Sequence, residues 1–304
     1  MTEKPKLLYI LAPSYSGSTL LTQLLGQHKR IATIGELKAT RMGDIDRYRC
    51  SCGDMIRQCE FWNEVTRRAT EAGARFSVDD FGTVYAAPNQ LVSKIVRATV
   101  RRPGFEILRA LLLRGLPEGM TRVRHVTRQN FLLGRIICDL QGGDIFLDGS
   151  KDSVRLLHFI ESELWDVRVI YMQRDGRGVS NSYRKHDGLT YDAAVSYWRH
   201  SIRELQRMRR RLDDTQVFDL LYEDLCKAPE TVMSDIWQWL GVEQQPIRSL
   251  DSNVSQSHIL GNAMRLKNVA EIRFDESWKS KLSRDNLGFF ESAAGELNRQ
   301  LGYR

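Results

Sequence analysis

Five short apolar runs alternate with helix-forming segments along most of this chain, and that alternation constrains the fold more than any other feature. Leu7–Leu11, Ile31–Ile34, Ile145–Leu147, Val167–Met172 and Val217–Leu221 read as strands. Segments with helical periodicity follow at Thr19–Gln27, Ser153–Trp165, Val179–Lys185, Tyr191–Leu212, Pro229–Leu240 and Asp285–Leu301. Strands that are apolar on both faces and separated by helices predict a parallel sheet covered on both sides, an α/β fold of three layers. Residues 60–141 read mostly as helices, with Leu91, Ile95, Ala98, Ile107, Leu108, Leu111 and Leu112 recurring at the 3.6-residue period until Gly142-Gly143 stops them. This block is expected to be a helical insertion, a cap over one end of the sheet.

Hydrophobic residues at 42% and charged residues at 27% belong to a folded globular chain and exclude a disordered one. The longest apolar runs fall far short of the ~20 residues that cross a bilayer. The first strand runs into Pro13–Thr19, without a small-residue cleavage site, so no secretory leader is expected and the setting is predicted to be cytoplasmic. A net charge of +7 suits a phosphate-bearing ligand or an acidic acceptor as well as nucleic acid. Cys50, Cys52 and Cys59 cluster as C-x-C-x6-C, open to three readings: zinc, a local disulfide or plain thiols. With no histidine or fourth cysteine nearby in sequence, no metal is expected.

Two places carry chemistry. In Ala12-Pro13-Ser14-Tyr15-Ser16-Gly17-Ser18-Thr19-Leu20, a strand enters a small-residue turn and a helix starts at once. That aims backbone N–H groups and a helix N-terminus at one point, which suits a phosphate or sulfate. The lysine of a nucleotide-binding G-x-x-x-x-G-K-[ST] loop is absent. In Val169–Tyr183 an apolar strand ends in Gln173-Arg174-Asp175 before a second helix, and Arg174 with Ser182 eight residues on can serve one anion.

Together these elements resemble the two signatures of the 3′-phosphoadenosine 5′-phosphosulfate (PAPS)-dependent sulfotransferases, in the bacterial branch related to tyrosylprotein and carbohydrate enzymes. Ser16, Gly17, Ser18, Thr19 and Leu20 match the turn that binds the 5′-phosphosulfate, and Arg174 and Ser182 match the residues that bind the 3′-phosphate. Leu147–Asp152, Leu221-Tyr222-Glu223-Asp224-Leu225 and Ser257–Arg265 resemble further elements of the family, so the resemblance implies nucleotide contacts from Tyr222, Gly261, Asn262 and Arg265. It implies a single sulfotransferase domain over 1–304 with a P-loop-like fold. It further implies PAPS as donor, adenosine 3′,5′-bisphosphate as product, and a hydroxyl-bearing acceptor: a glycan, a peptide tyrosine or a small metabolite. Tyr15 stands where the family usually has Arg or Lys, and Ala263 where it has Pro.

Glu36, 17 residues after Thr19 at the end of the second strand, is the expected general base, at the offset of the tyrosylprotein branch. A carboxylate at the carboxyl edge of a parallel sheet lies in the usual ligand crevice. The alternative for Glu36 is a surface pair with Lys38 or Arg41. Lys151 is the expected partner, stabilising charge on the leaving phosphate, with pairing to Asp148 or Asp152 as its alternative. His186 and His258 are the fallback bases, whereas His158 is expected to pack in the core and His125 and His200 to face solvent. Arginines in 91–135, among them Arg97, Arg101, Arg102, Arg109, Arg114, Arg122 and Arg124, are open to two readings: a basic cap for an acidic acceptor or a solvated helix face. Two rival functions remain at this point, a P-loop kinase-like phosphotransferase and a non-catalytic anion- or nucleic-acid-binding protein. No nucleic acid partner is expected.

Overall fold

The structure, a computed structural model, describes residues 3–39, 42–86, 89–96, 105–247, 258–261 and 272–304. Five parallel strands form the sheet: β1 (Lys6–Leu11), β2 (Ile31–Thr33), β3 (Ile145–Asp148), β4 (Asp166–Gln173) and β5 (Val217–Leu221), in the order β2-β3-β1-β4-β5. β1 is central. Tyr9 lies level with Asp148 of β3 on one side and Val169 of β4 on the other.

The two-residue period of β1 divides its side chains between two cores. Leu7, Tyr9 and Leu11 face one, and Leu8 and Ile10 face the other. On the second face lie α1 (Ser18–Leu25), α9 (Tyr222–Lys227) and α10 (Pro229–Leu240). On the first lie α2 (Glu60–Glu71), α6 (Ser153–Ser162), α7 (Gly176–Asp187), α8 (Tyr191–Arg209) and, after the short α11 (Trp278–Lys281), α12 (Arg284–Gln300). The expected three-layer parallel α/β architecture is therefore present. Among the described residues, no helix is long and apolar enough to cross a membrane.

The 60–141 block is more varied than a cap. It contains α2, α3 (Gln90–Val96), α4 (Phe105–Arg114) and α5 (Pro117–Gln141). α5 lies against β2, β3 and α6, so it belongs to the flanking layer. The periodic residues of α4 also face opposite to expectation. Arg109 and Leu113 are buried, while Ile107, Leu108, Leu111 and Leu112 are exposed. Arg109 is 2% exposed and pairs with Glu161, which removes it from a solvent-facing basic patch. Arg97, Arg101, Arg102 and Ala98 lie outside the described residues.

Candidate functional site

The turn after β1 doubles back through two left-handed residues, Tyr15 (φ 64°) and Gly17 (φ 88°). At Gly17 a side chain is excluded on two counts: the positive φ, and a Cβ that would sit 2.4 Å from Cδ2 of the Tyr222 ring. α1 then starts at Ser18 with no side chain capping it. Ser16 is fully buried, and its Oγ has no hydrogen-bond partner among the described residues. A buried orphan hydroxyl beside an uncapped helix N-terminus fits an external anion such as a phosphosulfate. Ser16, Gly17, Ser18, Thr19 and Leu20 thus share one turn; the Leu20 side chain packs in the core, leaving its backbone N–H to serve a ligand.

Arg174, at the tip of β4, is 6% exposed and held on three sides. It donates to the Tyr15 carbonyl at 2.8 Å and to Asp275 (carbonyl 2.9 Å, Oδ2 3.1 Å), and lies over the Tyr222 ring 4.3 Å from its centroid. The two carboxylates nearest in sequence are engaged elsewhere: Asp175 caps α7 and pairs with Arg177, and Asp187 accepts from the Tyr15 hydroxyl at 2.6 Å. A Cβ at Gly178 would lie 3.4 Å from Arg174 Nε, and Ser182, one turn further along α7, donates to the Gly178 carbonyl at 3.0 Å. Arg174 and Ser182 therefore flank the same turn of α7. Burial works to raise the Asp275 carboxyl, but hydrogen bonds from Ser277 and Arg174 outweigh it and hold it down at about 2. Burial pushes the Tyr222 phenol up to about 12.

On the other side of β1, the loops after β2 and β3 meet. Lys151 Nζ donates to Glu36 Oε1 at 2.5 Å and to the Gly149 carbonyl at 3.1 Å, and Gly149 N donates to the Gly35 carbonyl at 2.8 Å. Lys151 has a left-handed backbone (φ 60°), an uncommon state for lysine that the surrounding bonds must hold. Of the alternative pairings, those of Glu36 with Lys38 and of Lys151 with Asp148 or Asp152 do not form, because Lys38 pairs with Asp152 at 2.5 Å and Asp148 with Arg155 at 2.7 Å; Arg41 lies outside the described residues.

The Asp148–Arg155 pair is the support that sequence reading missed. Asp148 is fully buried and accepts from Leu37 N, Ser150 N, Ser150 Oγ and Arg155 Nε. Arg155 is 1% exposed and also donates to the Thr83 carbonyl and to Asn130. A buried pair with its hydrogen bonds satisfied can hold the flanking loops in one arrangement. The signal was present: Arg155 is a lone charge within the apolar helix Ser153-Val-Arg-Leu-Leu.

A cavity of about 740 Å³ opens on this junction. Ser18, Thr19, Glu36 and Lys151 all line it, with Tyr85, Tyr183, Tyr197, His200 and Glu204 completing the far wall. Arg174, Ser182 and Tyr222 are not in its wall. Of the fallback bases, His186 stacks on Tyr15 and His258 sits among the cysteines; neither lines the cavity, whereas the exposed His200 does. His158 is buried, as expected. Gly261 lies beside Glu36, where a Cβ would be 3.4 Å from Oε1; Asn262, Ala263 and Arg265 lie outside the described residues.

Comparison with known proteins gives a family match and similar folds. The sulfotransferase family model matches residues 8–246. The fold is similar to that of the sulfotransferase domain from the curacin biosynthetic pathway, at 18% identity and a TM-score of 0.52, covering 100% of this chain and 99% of that one. Sulfotransferase STF1 from Mycobacterium tuberculosis H37Rv matches at 15% identity and TM-score 0.47 over 96% of this chain and 77% of that one. Retinol dehydratase, in a complex with retinol and PAP, matches at 13% and 0.43 over 97% and 82%. No curated protein matches.

Proposed function

The chain belongs to the sulfotransferase family, and on that premise we propose that it moves the sulfuryl group of PAPS to the hydroxyl of an acceptor held in the 740 Å³ cavity. The observation that carries this reading is the Glu36–Lys151 pair, set in a cavity wall shared with Ser18 and Thr19 of the uncapped turn. Glu36 takes the proton of the attacking hydroxyl as its oxygen bonds to sulfur. The sulfur–oxygen bond to the 5′-phosphate breaks, and the electron pair leaves with adenosine 3′,5′-bisphosphate. Lys151 and the N–H groups of residues 16–20 stabilise the charge that gathers on that phosphate, and do so already oriented. Arg174 and Ser182 bind the 3′-phosphate, with Tyr222 under the guanidinium, and Gly261, Asn262 and Arg265 close over the nucleotide.

The dimensions and tyrosine-rich wall of the cavity suit a small organic hydroxyl or one residue of a larger acceptor. The setting we propose is cytoplasmic, where thiols outside disulfides stay reduced. The test is calorimetric titration without magnesium. Adenosine 3′,5′-bisphosphate should bind, and AMP should bind at least about tenfold more weakly, the loss of one charge-assisted contact set. Equal affinities would remove the 3′-phosphate site from the reading.

A further inference from the structure

The three clustered cysteines acquire in the fold what they lack in sequence. His258 arrives from a loop about two hundred residues away, its Nδ1 3.3 Å from Cys50 Sγ and 3.4 Å from Cys59 Sγ. Cys52 Sγ lies 3.6 Å from Cys59 Sγ, and the four side-chain atoms all lie within 4.8 Å of one another. Tetrahedral zinc, with Zn–S of about 2.3 Å and Zn–N of about 2.0–2.1 Å, sets its ligand atoms ~3.5–3.8 Å apart. A disulfide needs sulfurs at about 2.05 Å, so the cysteines stand at the separation of co-ligands and not of a bonded pair.

The surrounding chain is built to present these atoms. Arg49 and Met55 pair across a tight turn in which Cys50 N donates to the Asp54 carbonyl and Gly53 N to the Cys50 carbonyl, setting Cys50 and Cys52 side by side. Cys59 occupies the N-cap of α2, which brings its sulfur to the start of the helix beside Cys52. His258 adopts a left-handed backbone (φ 47°), and its ring stacks flat on Phe61, 4.1 Å between centroids. The stack on Phe61 fixes the ring plane with Nδ1 facing the two sulfurs. Cys50 and Cys59 are buried, and no other group of three or more such side chains gathers among the described residues.

We propose that Cys50, Cys52, Cys59 and His258 form a closed Cys3His zinc site that clamps the 258–261 loop onto the sheet. Three thiolates and a neutral imidazole suit zinc by their softness and number, and four protein ligands leave no open position, so the site is structural. Binding releases the thiol protons, and its free energy adds to that of folding. The clamped loop reaches the site edge: Ile259 N donates to Ser51 Oγ at 2.7 Å, Leu260 N to the Ile34 carbonyl at 2.6 Å, and Gly261 borders Glu36. The zinc thus fixes the wall against which Glu36 rests.

Metal analysis of the full chain, purified with zinc in the medium and no chelator, tests the site. One zinc per chain is expected, released stoichiometrically when a mercurial blocks the thiols. Cobalt exchanged into the site should give the charge-transfer and intense visible bands of a tetrahedral thiolate complex. Cys52→Ser and His258→Asn should each lower zinc affinity at least about tenfold in competition with a chromophoric chelator. Metal removal should speed hydrogen exchange in a peptide covering 258–261 before it affects the β1 strand. Metal-free protein under these conditions, a disulfide among the three cysteines, or zinc retained unchanged in both variants would overturn the proposal. The wild-type measurement decides the matter even where a variant fails to fold.

Discussion

Glu36 and Lys151, 115 residues apart in sequence, meet through a single 2.5 Å contact, Lys151 Nζ to Glu36 Oε1. Their side chains are 21% and 14% exposed, so each reaches the cavity while largely shielded from bulk water. The contact fixes the carboxylate at the wall of the cavity that would receive the acceptor hydroxyl.

Glu36→Gln keeps the shape and the contact to Lys151 but cannot accept a proton. Turnover should fall by ~10²–10⁴, the usual scale of general-base catalysis, with bisphosphate affinity nearly unchanged. The loss should shrink as the acceptor hydroxyl becomes more acidic. Lys151→Ala should lower turnover regardless of acceptor acidity. Steady-state rates over a series of substituted phenols would separate the two; a loss in Glu36→Gln that ignores acidity would reassign the base, with His200 as the next histidine to examine.

Arg174→Ala should weaken adenosine 3′,5′-bisphosphate by about 1.5–3 kcal/mol and AMP far less. Arg174→Lys should restore little, because a point charge cannot reproduce the planar fork that now spans Tyr15 and Asp275. Calorimetry on both ligands is the measurement. Parallel weakening of both would make Arg174 a support of the turn alone.

Gly17→Ala should destabilise the chain by about 1–3 kcal/mol from the left-handed backbone alone, with the overlap onto Tyr222 adding to it. Urea midpoints at constant slope would show the stability loss, and nucleotide affinity should fall with it. A Gly17→Ala variant as stable as the parent would mean that the turn can be rebuilt without the left-handed residue.

Asp275 gives a pH dependence with a fixed sign. Its carboxyl is held at about 2 in the folded chain, below the ~3.9 of an unfolded one. Its contribution to stability is complete above about pH 4–5 and is lost as pH falls towards 2, because the unfolded state then binds the proton more readily. Asp275→Asn should therefore flatten the acid limb of the Tm–pH curve between about pH 4 and 2. The same variant removes a carboxylate from Arg174 and should tighten bisphosphate binding at neutral pH. An unchanged acid limb would show that the Arg174–Asp275 contact does not couple to folding.

The sheet was legible because each strand declares itself within a handful of neighbours. Val217–Leu221 and Pro229–Leu240 have the same limits in sequence and structure, and the other strands differ by a residue or so at their ends. Glu36 and Lys151 were legible singly, since both follow strand ends where a parallel sheet gathers its ligands. Their mutual contact was not, because each had nearer opposite charges, of which the Asp148–Arg155 and Lys38–Asp152 pairs take up Asp148, Lys38 and Asp152. The face of α4 was misjudged because periodicity reports an apolar stripe and not what covers it; Arg109 turned inward in its place. His258 was invisible as a neighbour of Cys50 for a plainer reason: a contact spanning 208 residues has no local signature.

The strand order β2-β3-β1-β4-β5 sets β1 between two flanks. Glu36, Lys151 and most of the cavity wall hang from loops of the β2–β3 flank and α8, while Arg174 and Tyr222 stand at the ends of β4 and β5. The turn at Ser16–Leu20 is the seam. On the proposed reading, changes confined to the loops around Val84 and Tyr85 would reshape the acceptor cavity while leaving the Arg174–Tyr222 side untouched. The seam then divides the chain by task under that reading: one flank carries the cavity with Glu36 and Lys151, the other the nucleotide's far end. For the engineer, it marks where a graft can be cut.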